Sequence, residues 1–177
     1  MMNLREESNK QFAFSNYGIG KEEIDQWEGD IIIKEGDRKM LDKWYDLSVK
    51  LAATPKDTAI WRQISDIVDI DEYCNYMAAE IYMGNLDWLR GGFKNLKGFR
   101  AKDDKAKFHI VLHDVDGGFG DTDMILQVMT KGTGSLPKRF CNMLLYAPFK
   151  KQFIDAYCIM NGSVFAPERC LPVIRSM

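Results

Sequence analysis

Apolar residues fall into a sustained pattern only after residue 20. Residues 1–20 are polar, carry glycines at 18 and 20 and show no lasting period, which predicts a loose N-terminal arm ahead of an ordered domain over 21–177. Ile31-Ile32-Ile33 followed by Lys34-Glu35-Gly36 predicts a short strand and a turn. Asp37 then suits the N-cap of a helix over 38–53, in which Met40, Leu41, Trp44, Leu47, Ser48 and Leu51 share one mainly apolar face. Pro55 interrupts it, and a shorter helix from about residue 57 turns Ile60, Trp61, Ile64 and Ile67 inward. The strongest helical pattern follows. Asp69 and Glu72 are spaced as in a capping box, Ile70, Tyr73, Cys74, Met77 and Ile81 form one face, and Gly84 supplies the stop.

Beyond Gly84 the period changes. Residues 93–100 and 107–113 predict two strands joined by the charged turn Ala101-Lys-Asp-Asp-Lys105. In the second, Phe108, Ile110 and Leu112 point one way and His109, Val111 and His113 the other. Residues 117–136 are glycine-rich and suit a surface segment. Helices are predicted near 137–146, then from Pro148 to Gly162 with Phe149, Phe153, Ala156, Tyr157 and Met160 on one face, then after Pro167 with Pro172 inside. No internal repeat occurs, and the last helix reaches Met177 without a stop signal, so the expectation is a chain cut short.

At 177 residues and 46% hydrophobic content, the chain suits one packed domain. Its 24 basic and 26 acidic residues give a net charge of −2, which supplies no broad basic field for nucleic acid. No apolar run is long enough to span a bilayer, and the start, Met-Met-Asn-Leu-Arg-Glu-Glu, lacks the apolar core of a signal peptide. Cys74, Cys141, Cys158 and Cys170 form no Cys-x-x-Cys pair, and Cys74 and Cys158 fall on apolar helix faces, so buried thiols are expected over disulfides or zinc.

The candidate chemistry is concentrated in residues 84–120. Asp114-Val-Asp116 sets two carboxylates at a strand end, where Gly117-Gly118 turns the backbone. Spacing alone weighs a site for a hard cation and an acidic turn equally. An EF-hand does not fit, because its fifth, sixth and twelfth positions would be Gly118, Phe119 and Ile125. Asp87 follows the long helix in a loop that Asn85 can brace through side-chain-to-backbone hydrogen bonds and that Trp88 can anchor. A carboxylate so placed is either a solvated surface group or a proton acceptor for an attacking hydroxyl. His109 and His113 sit four apart on a strand, roughly 13 Å and too far to share one ion. Thr130-Lys-Gly-Thr-Gly-Ser135 lacks the Gly-Lys-Ser/Thr ending of a P-loop, and no Ser-His-Asp elbow occurs.

At these residues the chain resembles the CotH kinase-like family, named for a spore-coat protein and remotely similar in fold to protein kinases. The shared features are Asn85-Leu-Asp87-Trp88, Asn95-Leu-Lys97-Gly-Phe99-Arg100 and Asp114-Val-Asp116-Gly-Gly-Phe119-Gly120, with similarity over roughly residues 30–177. The resemblance implies an α+β, protein-kinase-like fold: a mainly helical C-lobe with a small β-hairpin carrying the catalytic and metal loops. It implies Asp87 as the catalytic carboxylate, Asn95 as catalytic and metal-coordinating carboxamide, Asp114 and Asp116 at the metal, and Lys97 and Arg100 steadying the loop or touching the cofactor phosphate. ATP with Mg2+ or Mn2+ would be the cofactors, and a protein bearing Ser or Thr the substrate.

Two departures qualify these roles. Asn95 lies eight residues after Asp87, where the kinase pattern has five and this chain has Gly92, so Arg90-Gly91-Gly92 is treated as part of an insertion. Only 86 residues precede Asp87, without a glycine-rich nucleotide loop or a paired strand Lys and helix Glu. Lys34 lies too close to Asp87 for the strand position. The expectation is therefore a fragment dominated by the C-lobe and weak or inactive alone. The competing expectation is a catalytically silent binding module of a coat or cell-surface protein, and a metal-dependent hydrolase ranks third because no histidine joins the acidic residues. The family includes coat and cell-envelope proteins, but the chain carries no address of its own.

Overall fold

Polar residues buried in a central strand organise the sheet. A computed structural model of the chain describes residues 8–29, 32–85, 88, 95–119 and 135–176, with the side chains at 135–137 left aside. Strands β1 (Ile24–Glu28), β2 (Ile32–Glu35), β3 (Lys97–Ala101) and β4 (His109–Val111) form an antiparallel sheet in the order β2-β1-β3-β4. Trp27 pairs with Ile33 and Gly98, and Gly98 pairs with Ile110. The small hairpin expected from the sequence is thus half of a four-stranded sheet. Its unexpected member, β1, carries Asp25 and Gln26, both 7% exposed, where an apolar residue would have announced a strand. Their burial is supported by Arg100, whose guanidinium lies 3.6 Å from Asp25, and by a Gln26 amide donating to the Ser8 carbonyl.

Helix α1 (Lys10–Tyr17) covers one face of the sheet, where Ala13, Ile24 and Phe99 form a small core. The loose arm expected over 1–20 thus contains, in its described part, a packed helix. The Asn9 side chain caps its first turn by accepting from the Gln11 and Phe12 amides. The opposite face meets the main core, built from α2 (Lys39–Ala53), α3 (Thr58–Ile67), α4 (Ile70–Met83), α5 (Ser135–Met143) and α6 (Ala147–Ile159). A π-helical turn (Met160–Val164) carries the chain past Gly162, and α7 (Pro167–Ser176) follows with Pro172 inside it. No described helix is long and apolar enough to cross a membrane.

Most expected helices lie close to their expected bounds. Asp57 caps α3 and Asp69 caps α4. Asp37 sits one residue outside the expected cap position: its carboxylate accepts from the Lys39 amide at 2.8 Å, while Arg38 is the capping residue and makes no side-chain cap bond. All four cysteines are free, but only Cys74 is buried. Cys158 is exposed, because α6 turns Phe149, Phe153 and Ala156 to the core and position 158 lies off that stripe. The segment 120–134 lies outside the described residues, and with it most of the expected glycine-rich surface segment.

The capping box at α4 is used differently from the sequence expectation. Asp69 accepts from the Glu72 amide at 3.0 Å, but the Glu72 carboxylate reaches across to the edge strand β4. There it accepts from the Ile110 amide at 3.0 Å and meets His109 Nδ1 at 2.8 Å. One residue earlier on the chain, the Phe108 amide donates to the Ile67 carbonyl at 2.8 Å. The α3–α4 junction therefore occupies outward-facing amides that an edge strand would otherwise expose. Replacing Glu72 by Ala leaves the part-buried Ile110 amide without its acceptor and is expected to destabilise the fold by about 1–2 kcal/mol in urea unfolding, with Glu72→Gln recovering most of the loss.

Candidate functional site

Two loops meet at the C-terminus of α4. Gly84 ends the helix in the left-handed conformation (φ 62°, ψ 39°), its amide donating to carbonyls of the last turn. The chain then enters Asn85, which is fully buried together with Glu80 and Trp88. Asn85 braces this exit as expected, but through a side-chain partner: its Nδ2 donates to Glu80 Oε2 at 2.8 Å. Its own backbone amide donates to the Glu80 carbonyl at 3.2 Å. Trp88 is 0% exposed and meets the Tyr76 ring edge-on at 6.2 Å, so it anchors the segment in the core. Asp87, the expected proton acceptor, lies outside the described residues, as does Gly92.

Glu80 is a buried polar residue that the sequence reading did not single out. Burial pushes its carboxyl up to about 7, outweighing the Asn85 amide and the neighbouring Tyr76 phenol, which act to lower it. The signal was present in the spacing. Position 80 continues the inward stripe of Tyr73, Tyr76 and Met77, so a carboxyl there had to be buried on the face that packs the helix.

The second loop leaves β4 and turns at Asp114, which adopts a left-handed conformation (φ 54°, ψ 60°). Asp is among the few residues with a side chain that tolerate this region, whereas Phe119 (φ 62°) is a bulky exception. Asp116 sits exposed in the 3-10 turn Val115–Gly117. Gly118 must lack a side chain: a Cβ would lie 2.9 Å from the Val115 carbonyl oxygen and 3.3 Å from that of Met83. That close approach lets the Phe119 amide donate to the Met83 carbonyl, which ties the acidic loop to the end of α4.

Asn95 joins this loop, its Nδ2 donating to the Asp114 carbonyl at 3.5 Å. The Asn95 carboxamide thus lies against the backbone of the Asp114 loop, and Asn and Asp side chains offer the hard oxygen donors that magnesium takes. Their donor chemistry fits such an ion, although no three His, Cys, Asp or Glu side chains converge among the described residues.

Lys97 and Arg100, both on β3, differ in surroundings. Lys97 lines a cavity of about 470 Å³ over the α1 side of the sheet, together with Lys10, Lys21, Lys34, Glu28 and Glu35. Lys34 pairs with Glu28 at 3.0 Å and Lys10 with Glu35 at 3.4 Å, so the lining carries more cations than paired anions. Arg100 is 3% exposed. Its guanidinium donates to the Asp103 carbonyl at 2.7 Å and the Ala106 carbonyl at 3.3 Å and stacks on Phe108. These contacts tie Arg100 to the β3–β4 turn. His109 is engaged with Glu72, apart from the acidic loop.

A buried helix ending beneath two polar loops, beside a small antiparallel sheet, is consistent with a kinase-like protein. The chain belongs to the CotH kinase family: the family described as CotH kinase protein matches residues 8–170. No curated protein and no solved structure matches it.

Proposed function

We propose that the chain carries the acceptor and metal loops of an ATP-dependent protein Ser/Thr kinase. Asp87 is the base, Asn95, Asp114 and Asp116 hold the metal, and Lys97 faces the anionic cofactor. The observation that carries this reading is the convergence of Asn95 and the Asp114 loop on the C-terminus of α4, from which the Asn85-Leu-Asp87-Trp88 segment departs. In a phosphoryl transfer the γ-phosphorus–oxygen bond to ADP breaks, a bond to the acceptor hydroxyl oxygen forms, and the hydroxyl proton passes to Asp87. Mg2+ or Mn2+ held by the oxygen donors would offset the charge on the phosphate oxygens. The described residues of this chain do the positioning: Asn85 and Trp88, which flank Asp87 in sequence, are buried, Gly118 lets the acidic loop dock, and Arg100 bonds two carbonyls of the β3–β4 turn.

Asp87→Asn is expected to lower phosphate transfer from ATP to protein by about 10²–10⁴-fold, since general-base catalysis contributes about that much. Nucleotide binding in the presence of magnesium should stay at the wild-type level. Unchanged transfer in this variant would remove Asp87 from the mechanism.

A second reading, a docking module without chemistry, is favoured by one specific feature. Phe119, 76% exposed, lines an apolar cavity of about 570 Å³ with Tyr82, Phe165, Val173 and Ile174. Such a surface suits capture of an apolar side chain from a partner protein. Magnesium-dependent nucleotide binding separates the two readings.

A further inference from the structure

The exit of α4 contains an arrangement that one proton explains. Glu80 Oε2 accepts from Asn85 Nδ2 and the Tyr76 phenol adjoins the same carboxyl, while Asn85 Oδ1 is a buried acceptor with no hydrogen-bond donor. Two acceptors cannot satisfy each other, and a buried carboxylate beside a lone carbonyl oxygen is costly. A hydrogen on Oε1 turns that oxygen into a donor toward Oδ1. We propose that Glu80 is a positioning residue that carries a proton in the folded protein and pairs head-to-head with Asn85, fixing the start of the segment that leads to Asp87. The orphaned Asn85 oxygen is then satisfied in a cyclic acid–amide pair, Oε1–H to Oδ1 and Nδ2–H to Oε2.

The surroundings favour the neutral acid. Glu80 and Asn85 are both 0% exposed. The Tyr76 phenol adjoins Glu80, with its own ionisation pushed well up by burial and by Glu80, so it brings no charge near neutrality. Titratable groups on the elements packed against α4 are engaged elsewhere: His109 of β4 with Glu72, and Lys151 of α6 with Asp155, while Lys150 is exposed. Tyr73 packs edge-on against the Trp44 ring, and Arg139 of α5 donates to the Leu41 carbonyl at 3.0 Å. With burial as the leading cause, the Glu80 carboxyl is raised to about 7.

The sign of the resulting pH dependence follows. The folded state keeps the proton up to about pH 7, while the unfolded chain releases it at the ordinary glutamate range of about 4.3. Stability from this pair is therefore full at acid pH and is lost as pH rises through about 7. The pair itself stands independently of phosphotransfer; only its consequence for Asp87 rests on that reading.

The test is the thermal unfolding midpoint of the 177-residue chain at about pH 5.5 and about pH 8, for wild type, Glu80→Gln and Asn85→Asp. The wild-type midpoint is expected to fall by roughly 4–8 °C over this interval through Glu80. Glu80→Gln supplies a permanent donor to Oδ1, so it should fold and lose that part of the slope. Asn85→Asp makes two facing carboxyls share the site and should steepen the slope. A Glu80→Gln variant that keeps the wild-type slope would overturn the proposal. So would a Glu80 side-chain carbon resonance in the wild-type chain that titrates near the ordinary glutamate value, a readout that needs neither a variant nor ATP.

Discussion

Replacing Asp114 by Asn is expected to lower phosphate transfer from ATP to protein by at least about 10²–10³-fold, the scale of losing one preorganised electrostatic contact to a transition state. Asn is the informative substitution because it tolerates the left-handed backbone at φ 54°, where Ala would add strain. It also keeps an oxygen while removing the charge. The Asn95–Asp114 hydrogen bond uses the backbone carbonyl and survives the change, so the unfolding midpoint should stay close to wild type. Transfer assays and thermal unfolding on the same preparation separate a lost ligand from a lost fold. If transfer stays at the wild-type rate, Asp114 is not a metal ligand in this reaction.

The largest stability effect is expected at Trp44. Its ring is 0% exposed, meets Tyr73 edge-on at 5.1 Å, stacks on Phe108 at 5.5 Å and lies 5.3 Å from the Arg139 guanidinium carbon. One side chain thereby joins α2, α4, α5 and the residue leading into β4. Trp44→Ala should cost about 3–5 kcal/mol, from lost burial and an incompletely filled cavity. Arg139, 1% exposed, loses an aromatic face as well. Against a total stability of about 5–15 kcal/mol, urea unfolding should show a midpoint drop of roughly a fifth or more, up to no folded baseline. Trp44→Phe should recover much of the difference.

The helices were legible because their burial follows a single period. Trp44, Leu47 and Leu51 on α2, and Tyr73, Met77 and Ile81 on α4, repeat at three- and four-residue spacing, and Asp57, Asp69 and Gly84 mark ends by local chemistry. Strand β1 escaped because its burial depends on partners distant in sequence. Asp25 and Gln26 read as surface residues until Arg100 and Ser8 are placed beside them. Helix α1 escaped for a related reason: within it only Ala13 is buried, and its partners Ile24 and Phe99 lie outside the helix.

The site divides in the same way. Asn95, Asp114 and Asp116 stand out in the sequence by residue type, the two aspartates also by the glycines that follow, and Asn95 and Asp114 lie together in space. Glu80 does not stand out by type, because a glutamate in a helix is ordinarily a solvated residue. Its role depends on helical phase and on Asn85, a partner reached only after the chain leaves the helix. The role of Glu72 was hidden too, since a glutamate three residues after Asp69 reads as a capping-box partner while its carboxylate holds β4.

The most direct measurement is the unfolding midpoint of the chain with ATP, in magnesium and in a chelator. At ligand concentrations about a hundredfold above Kd, binding contributes about 2.7 kcal/mol, which should raise the midpoint by roughly 5–10 °C. A phosphotransfer site predicts that shift with magnesium, its loss in chelator, and its loss in Asp114→Asn. A midpoint unmoved by ATP and magnesium, in a chain that is otherwise folded, would contradict the kinase reading.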